Sequence, residues 1–158
     1  MKYQLVKLKS NRGNRKQSID ALMQIAEQFE ADSKKEKAGA VYADIAMLCS
    51  EHGEYEEAWA YAERARLTLS DLHPAMGIVH QVLASVFLDR CDDEKAEKHL
   101  CNAINIFEQH GKVSELEETQ LLMCQHLINQ GRHSEAFRQM EAFHIFIKRR
   151  LEQRGIVL

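Results

Sequence analysis

The chain has 158 residues, 45% of them hydrophobic, which is enough for one domain with a core and too few for two ordinary ones. One proline, seven glycines and 7% aromatics, where average usage gives about eight prolines and about eleven glycines, argue against an all-β sandwich or barrel. The formal charge of −3 conceals an asymmetry: residues 1 to 17 carry six basic and no acidic side chains (+6), residues 18 to 131 nine basic and 21 acidic (−12), and residues 132 to 158 six basic and three acidic (+3).

An acidic body lacks the basic face of a nucleic-acid reader, so nucleic acid is expected at most at the basic arm. The longest nearly apolar run, Gly77 to Leu88, contains His80, Gln81 and Ser85 and falls short of the roughly 20 residues of a bilayer span. No membrane association is expected. Without the apolar run and cleavage site of a secretory signal, the expected location is cytoplasmic, with reduced thiols.

In chain order, residues 1 to 17 read as a basic, flexible arm. Tyr3 to Leu8 could form a short extended segment, and the polar stretch Ser10 to Gln17 reads as mobile. Ser18 to Asp32 reads as an amphipathic helix with Ile19, Leu22, Ile25, Ala26 and Phe29 on one side, followed by the charged turn Ser33 to Lys37. From there to about residue 154 one pattern recurs. Its units are 38–70, 76–110 and 114–152, offset by 38 and then 40 residues, as in Tyr42, His80 and Gln120.

Each unit repeats an apolar stripe at 3, 4, 7 spacing, a break at Gly53, Cys91 or Gly131, and a second stripe, the signature of a helical hairpin. Small residues at Ala46, Ala84 and Cys124, and at Ala58, Ala96 and Ala136, let the two axes of each hairpin approach closely. Pro74 suits a first helical turn, Asp92 an N-cap, and Ser114 with Glu117 a capping box.

The order of small residue, glycine, aromatic and alanines, best seen in Gly53-Glu54-Tyr55-Glu56-Glu57-Ala58, resembles the tetratricopeptide repeat. The resemblance covers about residues 38 to 150 and departs from the family in its longer period and in keeping the first-helix aromatic only as Phe87. It implies an all-α fold, a right-handed superhelical solenoid of three hairpins preceded by one additional helix, with the first helices lining a concave groove. Units of this length resemble those of bacterial regulators that sense signalling peptides. Residues 1 to 17 are too short to hold a helix-turn-helix module.

Carrying the family's groove positions over gives Ala43, Met47, Ser50 and Glu51, then Gln81, Ser85, Leu88 and Asp89, then Glu118, Leu121, Gln125 and Asn129. The rows Glu51, Asp89, Asn129 and Met47, Ser85, Gln125 offer carboxylates, amides and apolar contacts suited to a peptide. Their neutral and acidic character argues against clamping a C-terminal carboxylate. The expected partner is therefore a protein or peptide, bound by an adaptor or regulatory domain; the alternative is the sensor domain of a transcription regulator. Trp59, Phe143 and Phe146 are candidates for self-association as a homodimer.

Walker, HExxH, GxSxG and dinucleotide motifs are absent, so neither enzymatic activity nor a cofactor is expected. Cys49, Cys91, Cys101 and Cys124 form no CxxC pair. Cys91, His99 and Cys101, or Cys124 with His126, assemble into a metal site only on paper, and no metal is expected.

Overall fold

A computed structural model describes residues 15 to 156. These residues are all-α, with no strand among them. Seven helices follow in order: α1 (Arg15–Ala31), α2 (Lys35–Glu51), α3 (Tyr55–Thr68), α4 (Ala75–Asp89), α5 (Asp93–His110), α6 (Val113–Asn129) and α7 (His133–Gln153). The chain divides into two compact units, one ending at Ile106 and the other beginning at Phe107.

The helix over 18 to 32 is present but begins at Arg15, so Arg15, Lys16 and Gln17 of the expected arm are helical. Arg15 forms an ion pair with Glu54. The remainder of the arm, with its Tyr3 to Leu8 segment, lies outside the described residues. Ser18, Leu22 and Ala26, one turn apart, are the buried side of α1; Ile19, Ile25 and Phe29 are half-buried beside them.

In the first unit α2 packs against α1, α3 and α4, and α4 also packs against α3. Surrounded in this way, α2 buries Val41, Tyr42, Ile45, Ala46 and Cys49, on more than one side. The small residues anticipated at the close approaches are enclosed: Ala46, Ala58, Ala84 and Ala96 have no exposed surface. Gly39 serves the same end, because a Cβ there would lie 2.8 Å from Leu69 Cγ. In the second unit α6 packs on α7, with Cys124 and Ala136 buried and the Cys124 thiol 3.6 Å from the Ala136 carbonyl.

Short turns of one construction end α1, α2, α4, α5, α6 and α7. A residue in the left-handed region, Ser33, Gly53, Cys91, Gly111, Gly131 or Gly155, donates its N–H back to the closing turn. The next N–H then reaches one carbonyl further back, as in Glu54 to Cys49 at 2.9 Å and Arg132 to Leu127 at 2.8 Å. This paired bonding satisfies carbonyls that a helix end would leave open. Glycine takes the conformation freely; Ser33 and Cys91 hold it with a Cβ, at a cost of about 1 kcal/mol or more each.

Capping agrees with the sequence at two of three places. Asp92 Oδ1 accepts the Lys95 N–H at 3.3 Å, and Pro74 immediately precedes α4, where His73 Nδ1 accepts the Ala75 N–H at 3.1 Å. The Ser114–Glu117 capping box is not formed. The turn at Gly111 starts α6 at Val113, so Lys112 is the N-cap, without a side-chain cap bond, and Ser114 already lies inside the helix.

Candidate functional site

The groove positions fall in both units. In the first, α2 and α4 lie against one another and carry Met47 and Glu51, and Gln81, Ser85 and Asp89. Glu51 and Asp89 are the last residues of their helices and both are exposed. Two carboxylates therefore sit at the negative ends of two helix dipoles, where a negative charge is disfavoured by about 0.3–1 kcal/mol and a cation is favoured. Beside Glu51, the His52 ring is 2.8 Å from the Leu48 carbonyl.

Met47 and Ser85 are half-buried, and the Ser85 hydroxyl donates to the Gln81 carbonyl at 3.3 Å. Gln81 is itself 9% exposed and Ala43 fully buried, so a ligand on this face meets mainly Met47, Glu51, Ser85 and Asp89. In the second unit Glu118, Gln125 and Asn129 are exposed along α6. The Gln125 amide donates to Asn129 Oδ1 at 2.9 Å.

Of the residues considered for self-association, Trp59 is 39% exposed. The Arg90 guanidinium lies 4.7 Å over its ring and donates to Glu56 at 2.9 Å. Phe146 is half-buried beneath Arg150, 5.8 Å from the ring centre. The same guanidinium rests over Gly111, where a Cβ would meet it at 2.7 Å. Phe143 is half-buried and lines a groove of about 340 Å³ between α6 and α7.

Two features of this geometry were not anticipated. His80 on α4 and His99 on α5 place their Nδ1 atoms 2.8 Å apart, with Phe87 stacked on His99 at 5.4 Å and Lys95 above Phe87 at 5.3 Å. One Nδ1–H must donate to the other ring's lone pair, so the bond fails when both Nδ1 atoms are protonated. Burial, then the neighbouring His99, hold His80 down at about 4; His99 is also lowered, first by burial. The second feature is Gln120, 4% exposed, whose Oε1 has no hydrogen-bond partner and which lines the α6–α7 groove.

Tyr42, His80 and Gln120 hold one register position, a signal present in the sequence. Each carries a polar tip, on a buried residue at Tyr42 and Gln120 and a half-buried one at His80, and they differ in what meets it. The Tyr42 hydroxyl donates to Glu30 at 2.9 Å beneath the Arg64 guanidinium, 4.1 Å from its ring, and burial followed by that hydrogen bond pushes it up to about 12.

Burial also pushes the Cys49 thiol up to about 11 and raises Cys101 and Cys124, leaving these thiols protonated and weakly nucleophilic near neutral pH. Cys91 sits exposed in its turn. Among the described residues no group of three His, Cys, Asp or Glu side chains converges to hold a metal ion, and no helix is long and apolar enough to cross a membrane. Neither a protein-family model, a curated protein nor a solved structure matches the chain.

Proposed function

We propose that this chain is a non-catalytic, tetratricopeptide-like repeat module, a three-hairpin solenoid with one preceding helix, that recognises a protein segment or peptide and works as an adaptor or regulator. The observation that carries the reading is the pairing of Glu51 and Asp89. They are equivalent in the repeat, each ends the first helix of its pair, and both are exposed at the negative pole of that helix. A basic side chain or amide-rich backbone between them relieves the unfavourable dipole interaction. Met47 and Ser85, one turn back, supply an apolar contact and a hydroxyl.

The test is affinity capture from the native lysate with the wild-type chain beside a Glu51→Lys, Asp89→Lys double variant, followed by mass spectrometry. A basic segment retained by wild type, lost by the variant and weakened as salt rises is the expected result. Equal retention by both chains removes this face from consideration.

A further inference from the structure

The register that aligns the first and last helix pairs also aligns the face that follows them. Tyr42, Ala43 and Ala46 on α2, and Ala62, Ala65 and Leu69 at α3, correspond 78 residues later to Gln120, Leu121 and Cys124 on α6 and Met140, Phe143 and Ile147 on α7. In the first pair this face is closed. All six residues are at most 7% exposed, and α4 lies against both helices. In the last pair the corresponding six residues line the open groove, with Leu121 62% and Met140 56% exposed.

A helix face left to water would carry polar side chains. This one has instead exchanged alanines for leucine, methionine and phenylalanine. Exposed apolar side chains on this face fit a surface closed by another helix.

We propose that the occupant is a second copy of this chain, and that the two copies form an isologous dimer in which their α7 helices cross antiparallel over the α6–α7 grooves. The charge pattern of α7 selects this partner and orientation. Its first half, His133 to Phe143, carries Glu135, Arg138 and Glu141, and its second half, His144 to Gln153, carries Lys148, Arg149, Arg150 and Glu152. These give −1 and +2, so antiparallel crossing brings opposite charges together and parallel crossing sets positive on positive. A two-fold axis beside His144 and Ile145 places Glu141 of each copy next to Lys148 of the other. Because the interface is self-complementary, every such contact occurs twice.

The test is sedimentation velocity of the full chain across the micromolar range. Wild type is expected to dimerise with rising concentration. Met140→Glu, at an exposed position, is expected to be monomeric with unchanged helicity. Glu141→Lys and Lys148→Glu should each weaken the dimer about tenfold, since each disturbs two symmetric pairs, and the two changes in one chain should restore it.

A wild-type chain that stays monomeric throughout overturns the proposal, including one that dimerises only after residues 1 to 14 are removed, because the groove would then be filled from within. A dimer indifferent to Met140→Glu, or charge reversals that do not rescue one another, also overturns it.

Discussion

Around Ala43, Ala62 and Ala65 the chain has built a closed joint, small side chains giving α4 room to lie against α2 and α3. Around Leu121, Met140 and Phe143 the same register carries larger side chains on an open groove. The first helices of the two regions are equal in length, 17 residues each, and the turns that join them to the second helices are alike. Register and turn chemistry therefore specify the helix pair, and the size of the side chains on its following face specifies how that face can be covered.

The largest expected effect that sharpens this comparison is at Ile45, fully buried in α2. Ile45→Ala should destabilise the chain by about 2–5 kcal/mol, read by urea denaturation of the first unit's transition. Leu121→Ala should stay within about 0.5 kcal/mol in a monomer. Equal effects would erase the distinction between closed and open faces.

Acid tests the middle register position. His80 is held near 4 in the folded chain against about 6.5 unfolded. Between those values the unfolded state binds the extra proton, so stability is complete above pH 6.5 and falls as the pH drops towards 4. The rings are faced by Arg66, Asp71, Glu63 and Lys98, and the expected loss is about 2 kcal/mol. Denaturation at pH 7 and pH 4.5 should show it, with a smaller difference in His80→Phe.

A smaller effect is expected at Gly39, where a Cβ would also come within 2.9 Å of Thr68 Oγ1. Gly39→Ala should cost about 1–2 kcal/mol in thermal or chemical denaturation, because the end of α3 must move to admit the methyl group. The smallest change has the opposite sign. Cys91→Gly removes a Cβ from a φ of 57° and should add about 1 kcal/mol of stability; an unchanged or lowered midpoint would contradict the strain assigned to that turn.

The helices were legible because burial repeats at helical spacing, and the turns because Gly53 and Gly131 mark two of them outright. Cys91 was placed at a break only by its register, since its side chain does not advertise a positive φ. The early start of α1 was hidden: Arg15, Lys16 and Gln17 look like arm by charge, yet the ion pair to Glu54 comes from tertiary placement. The capping box at Ser114 failed for a related reason, because the tight turn at Gly111 set the helix start before local capping could.

At the candidate site, the sequence placed Glu51 and Asp89 at equivalent positions, but could not show that Gln81 is nearly enclosed, which depends on neighbours distant along the chain. The meeting of His80 with His99 is a hydrogen bond between two helices that no spacing rule announces.

The packed helices are for the most part neighbours along the chain, α1 with α2, α2 with α3, α3 with α4 and α6 with α7, while α2 and α4 are separated by one helix only. Contacts of this kind close small loops, and proteins dominated by them fold in microseconds to milliseconds, far faster than sheets assembled from remote strands. On the ribosome, α1 to α3 can consequently acquire their mutual contacts while the C-terminal helices are still being synthesised, so that the apolar surfaces of the first helices spend little time exposed to other nascent chains.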